Sequence, residues 1–124
     1  MRIKSAKELT VYQEAYSLAM EIFELSKQWP AEVKYSLTDQ VRRSSRSVCP
    51  NLREAWSKRR YKPHFISKLT DSDGENRETD TWLDFARDCK YLKENDHARL
   101  TERCISVGKM LGSMLNNPTP FLRR

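Results

Sequence analysis

The sequence predicts an all-α fold, an antiparallel up-down-up-down four-helix bundle, on three observations. Apolar residues return at alternating spacings of four and three in four separate stretches. Glycine and proline are scarce, 3 and 5 in 124 residues, while charged residues reach 32%, a balance that suits helices better than a sheet. Valine, isoleucine and threonine never cluster into the alternating runs that mark strands. At this length one domain, residues 1–124, with a real core is expected.

The first helix is expected over about 7–29. Val11, Ala15, Leu18, Ile22, Leu25 and Trp29 form its heptad stripe, and Tyr12, Tyr16, Ala19 and Phe23 a second apolar line beside it. Pro30 ends it, because a residue before proline avoids the α region. The second helix is expected over 36–60, with Ser36 as cap and Asp39 in the first turn. Leu37, Val41, Ser44, Val48, Leu52 and Ala55 line one face and stay in phase through Pro50. A bent continuous helix is therefore expected, the alternative being two short helices that meet at Cys49–Pro50.

Pro63 suits the first turn of a third helix over 63–92. Its middle, Asp71-Ser72-Asp73-Gly74-Glu75-Asn76, has the local composition of a turn. Phase argues for helix, since Phe65, Leu69, Ser72, Asn76, Thr79, Leu83 and Ala86 keep the 4-3 spacing across it. The fourth helix is expected over 96–115, capped by Asn95 or Asp96, with Leu100, Cys104, Val107, Leu111 and Met114 as its stripe. Gly108 and Gly112 would allow close approach of a neighbour. A stop is expected at Asn116-Asn117-Pro118, followed by a loose tail.

Apolar runs are too short for a membrane span, and the N-terminus lacks the apolar stretch of a signal peptide. The odd set Cys49, Cys89 and Cys104 suits buried thiols in a reducing compartment, so a cytoplasmic location is expected. No C-x-x-C, Glu-x-x-His, phosphate-binding or dinucleotide glycine pattern appears, and no nucleophile has a visible base partner. Asp71-x-Asp73-Gly74 fails as a calcium loop, because the first ligand would have to be Leu69. Glu75, Glu78, Asp80 and Asp84 would need a second acidic pair from another helix to hold a divalent metal. No catalytic residue, cofactor or metal is expected.

The net charge of +6 is unevenly spread: +7 over residues 34–62 and −4 over 63–96. At about 100° per residue, Arg42, Arg46, Arg53 and Arg60 fall within about 40° of one another, an outward line away from the core stripe. Arg43, Lys58, Arg59 and Lys62 extend it, with Trp56 and Tyr61 interleaved. Such a row suits phosphate contact in RNA or DNA with aromatics for stacking. It also suits plain solvation or pairing with the acidic third helix of a neighbouring subunit, the blander reading of such a row. The opposite flank holds Gln40, Ser47, Asn51 and Glu54 and reads as an interface, inside the bundle or between subunits. The polar line Ser72, Asn76 and Thr79 is its candidate mate.

Within Tyr35–Trp56, Leu37-Thr38-Asp39-Gln40, Arg42-Arg43-Ser44, Ser47-Val48, Asn51 and Glu54 carry a family signature, and Gly74–Leu92 carries a second. The chain resembles the four helix bundle proteins first noticed as products of intervening sequences in 23S ribosomal RNA genes, also described as ribosomal-S23-like. Cys49-Pro50 and Arg53 depart from the commoner form of the signature. The resemblance implies a bundle that assembles into a ring, typically a homopentamer, with no established enzymatic activity. A more distant likeness is to the accessory variability determinant of diversity-generating retroelements, a pentamer that works with nucleic acid. Together these readings give a non-enzymatic oligomeric bundle that binds RNA or DNA through its basic second helix, or alternatively a structural adaptor that binds protein.

Overall fold

The structure is a computed structural model that describes residues 3–123. Ser5 and Glu8 form a reciprocal capping box around a 3-10 turn, Ala6–Glu8, which leads into α1, Thr10–Ser26. Val11, Ala15, Leu18 and Ile22 are buried, as the heptad stripe requires, and so is Ala19 of the second apolar line. The second apolar line is covered only in part, since Tyr16 remains 56% exposed. α1 stops three residues before Trp29, because the chain tightens to i→i−3 bonds, with the Lys27 N–H on the Glu24 carbonyl and the Trp29 N–H on that of Ser26. Trp29 still reaches the core.

Ser36 does not cap the next helix. It lies inside one wide π turn, Lys34–Thr38, that buries Leu37 and Thr38 and runs directly into α2, Asp39–Ser57. α2 is continuous through Pro50, which faces outward. Carbonyls around the proline gain side-chain donors: Ser47 Oγ on Arg43 at 2.8 Å, Asn51 Nδ2 on Ser47 at 2.9 Å, and Ser72 Oγ on Val48 at 2.8 Å. The helix ends at Ser57, so Lys58, Arg59 and Arg60 belong to the following turn.

α3, Lys62–Asp88, is unbroken across Gly74. Its C-terminus closes earlier than residue 92. Lys90 adopts a left-handed φ of 69°, its N–H bonds to the Arg87 carbonyl, and the Tyr91 N–H reaches that of Ala86. This reversal folds Leu92 back into the core. α4, Glu94–Asn116, has no side-chain cap from Asn95 or Asp96, although Glu94 and Asp96 place carboxylates in its first turn. Beyond it the tail is tied down. A 3-10 turn, Thr119–Phe121, packs Phe121 on the core, and the Arg123 N–H bonds to the Arg59 carbonyl at 3.2 Å.

The pairings fix the topology. Ser44–Thr79, Val48–Ser72 and Glu54–Lys68 run in opposite directions along α2 and α3. Asp84–His97 and Asn76–Cys104 do the same for α3 and α4. Ser26–Arg42 and Tyr12–Cys49 set α1 against α2, while Glu21–Arg99 and Ser17–Arg103 close α4 onto α1. The molecule is an antiparallel four-helix bundle in up-down-up-down order. No described helix is long and apolar enough to cross a membrane.

The core centres on Ile22, Val41, Leu52, Phe65, Leu69, Leu83, Leu100 and Leu111, each large side chain contributing about 1.5–3 kcal/mol on burial. α3 runs a polar line through it, and every member is bonded: Ser72 to the Val48 carbonyl, Asn76 Nδ2 to the Cys104 carbonyl at 2.9 Å, and Thr79 Oγ1 to Ser44 Oγ at 2.8 Å. Gly108 gives Asn76 its space, since a Cβ there would lie 3.4 Å from Nδ2. Gly112 has no neighbour that close.

Candidate nucleic-acid interface

The basic residues of α2 fall into two groups. Arg42 does not point outward. It folds onto the end of α1, donating from Nε to Ser26 Oγ at 2.8 Å, with its guanidinium 4.6 Å from the centre of the Phe23 ring. Ser26 and Phe23 lie where α1 ends, so this long side chain covers apolar surface and a helix terminus together. Arg46 shares the Phe23 ring at 5.4 Å and stays exposed. Arg43 turns to α3, donating to Glu78 at 2.6 Å and to Glu75 at 3.1 Å.

That clamp explains the acids that sequence spacing offered as metal ligands. The Arg43 hydrogen bond holds the Glu78 carboxyl below its ordinary value. Burial pushes Glu75 the other way, outweighing the Arg43 charge. Asp84 accepts from His97 Nε2 at 2.8 Å, with Arg87 on Nδ1 at 3.4 Å. Asp80, raised by burial and then by the Asp84 charge, has one buried oxygen without a hydrogen-bond partner. The four acids thus face different surroundings, and no group of three or more His, Cys, Asp or Glu among the described residues is arranged to hold a metal ion.

Beyond Pro50 the picture changes. Arg53, Lys58, Arg60 and Lys62 are exposed and, like Arg46, have no carboxylate within ion-pair distance among the described residues. Arg60 lies in the turn, off the helical line expected for it. Arg59 is half-buried, its guanidinium 3.7 Å from the centre of the Trp56 ring and its Nε on the Trp56 carbonyl. Burial, with the nearby Arg123 charge, holds its pKa below the ordinary guanidinium value. Spacing offered no sign of Arg123, which arrives because the tail docks.

The flank opposite the arginines does not meet the polar line of α3. Gln40 donates to the Tyr35 carbonyl, and Ser47 and Asn51 bond within α2. Among the described residues, Glu54 alone of that flank makes an ion pair or side-chain hydrogen bond to α3, through Lys68 at 2.7 Å. Ser44 and Val48 face Ser72 and Thr79 instead, because they lie on the buried stripe. Two of the three thiols are buried, Cys49 pushed up to about 11 and Cys104 to about 12 by burial. Cys89 is exposed, having emerged where α3 ends. The two buried thiols are therefore protonated at neutral pH, the unreactive form.

The arginine clamp that closes α4 on α1 accounts for more of the positive charge. Burial pushes Glu21 up, but hydrogen bonds from Arg99 and from Arg103, the latter at 2.6 Å, overcome this and hold its carboxyl below the ordinary value. The second half of α2 and the turn after it hold the densest group of cations without an ion pair among the described residues; Arg46, Lys4, Lys7, Lys90, Lys93 and Lys109 are exposed and unpaired elsewhere.

No curated protein matches the chain. Among solved structures it is similar to a protein of unknown function from the S23 ribosomal protein family of Bacteroides thetaiotaomicron, 26% identical, with a TM-score of 0.77 over 86% of this chain and 96% of that one. The family described as 23S rRNA-intervening sequence protein matches residues 7–113, most of the chain and both signature stretches. The chain belongs to the 23S rRNA-intervening sequence protein family.

Proposed function

We propose that this protein is a non-enzymatic, oligomeric bundle that binds RNA or DNA through the second half of α2 and the turn that follows. One observation carries the reading. Arg53, Lys58, Arg60 and Lys62 crowd one end of the bundle without a carboxylate in ion-pair distance among the described residues. Within the chain only Glu54, which feels the Lys58 charge without pairing to it, partly offsets this group, and a phosphate backbone supplies anions at regular spacing. Arg46 extends the surface along α2. Arg42 and Arg43 are fold residues in this reading.

Assembly is supported by apolar side chains the single bundle leaves uncovered: Tyr16, Phe85 at 54% and Ile105 at 51%. A ring would repeat the basic turn once per subunit, five times if the family's homopentamer holds here, and so raise avidity without new contacts. The test is affinity for RNA and DNA over a salt series, alongside mass by light scattering. Binding at low salt that falls steeply with added salt is expected. No binding at low salt would sink the nucleic-acid reading, and a monomeric mass the oligomeric one. An oligomer that ignores RNA and that strong salt dissociates would point to the adaptor alternative, a basic helix paired with an acidic one, and an oligomer intact in strong salt would count against that alternative.

A further inference from the structure

We propose that the basic end of the bundle takes single-stranded rather than duplex nucleic acid, with the Tyr61 ring as its stacking platform; this rests on the nucleic-acid reading above. The antiparallel order brings the start of α1, the α2–α3 turn and the end of α4 to one end of the molecule. Lys58, Arg60 and Lys62 are exposed there, and the Arg123 N–H pins the tail to the Arg59 carbonyl at 3.2 Å, so a further cation joins them. α3 begins at the same turn with no acidic residue in its first turn.

Charge alone would accept a duplex or a single strand. The aromatic residues discriminate. Tyr61 lies between Arg60 and Lys62 and is 56% exposed, so that, unlike the equally exposed Tyr16, its ring is set among cations without an ion pair. It is held at 80° to the His64 ring, 4.5 Å away, so it is presented in a set orientation. One turn back, Trp56 supports the Arg59 guanidinium, a second planar group. An aromatic face next to cations gains most from an unstacked base, and a duplex keeps its bases stacked inside.

The probes are fluorescent RNA and DNA single strands of about 12 nucleotides, a hairpin duplex of matching length, and polyglutamate as an acidic-protein control, measured by anisotropy at several salt concentrations. The single strand is expected to bind at least about 10-fold more tightly than the duplex at equal salt. Tyr61→Leu, which keeps apolar bulk, is expected to lower single-strand affinity about 5- to 100-fold and leave both the duplex affinity and the salt slope unchanged. Tyr61→Trp should restore binding. Because Tyr61 is exposed, unchanged thermal melting is the control for folding. Equal affinity for both forms, or no effect of Tyr61→Leu, overturns the proposal while the basic-face reading survives. Failure of every strand to bind at low salt overturns that reading as well. Polyglutamate bound as tightly as the single strand assigns the surface to an acidic protein instead.

Discussion

In the first half of α2, Arg42 and Arg43 are turned onto neighbouring helices, one around Phe23 and Ser26 of α1, the other between Glu75 and Glu78 of α3. In the second half, and in the turn beyond it, Arg53, Lys58, Arg60 and Lys62 touch no carboxylate among the described residues. The residue types are the same, and the difference lies in what each neighbouring helix offers. α1 presents its ring and its terminal hydroxyl to the first half. α3 runs antiparallel, so its acidic middle also lies beside the first half while its start lies beside the second. A charge run in sequence is therefore split by topology into a part that closes the bundle and a part that meets no carboxylate among the described residues.

The comparison breaks most clearly in binding. Replacing Lys58, Arg60 and Lys62 with Gln should lower RNA affinity at low salt by about 100-fold and reduce the logarithmic salt slope by about 2 for a single strand. Arg43→Gln should change neither by much. An anisotropy titration over several salt concentrations checks both, and equal losses from the two sets would erase the division. Stability should show the opposite pattern. Arg42→Ala is expected to cost about 1–2 kcal/mol in urea unfolding, from the lost bond to Ser26 and the uncovered Phe23 ring, while Arg53→Ala stays within about 0.5 kcal/mol.

A smaller effect is expected from the clamp. Glu78→Gln should cost about 0.5–1 kcal/mol, since the pair is partly solvated. The sign with pH follows from its depressed carboxyl: its contribution is present above the unfolded value near 4.5 and is lost as pH falls through the lower folded value. Glu21 carries the same sign. Glu75, raised by burial, carries the opposite one, so Glu75→Gln at neutral pH should cost less than Glu78→Gln. The smallest effect sharpens the account of α3. Gly74→Ala meets no atom within 4 Å and should stabilise by up to about 1 kcal/mol, whereas Gly108→Ala meets Asn76 and should gain less, both read as shifts in melting temperature.

Sequence phase was enough to read the bundle, the continuity of α2 through Pro50 and of α3 through Gly74, because a heptad stripe reports burial directly. Helix ends were less legible. The left-handed turn at Lys90 has no glycine to announce it, and the π turn before α2 depends on Leu37 and Thr38 finding the core. The capping box at Ser5 and Glu8 did have a signal, Ser-x-x-Glu, in the sequence. The basic row was visible as a charge run. That Arg42 and Arg43 belong to the fold was not, since helical angle gives a side chain's direction and says nothing of how far a long one can bend to reach a ring or a carboxylate. Arg123 joins the turn only through tertiary docking, which no local pattern encodes.

The polar line of α3 also sets how far the helix can slide. A seam of leucines alone would tolerate a shift of one heptad, about 10 Å along the axis, with little change in buried area. Here such a slip would set Leu69 or Leu83 against the Cys104 carbonyl and carry Asn76, Ser72 and Thr79 away from their partners. Each orphaned group would cost about 1–3 kcal/mol, so a misaligned bundle is several kcal/mol poorer than the aligned one. Three modest side chains thus act as a vernier, holding the α2–α3 turn, and every cation on it, at one height relative to the rest of the molecule.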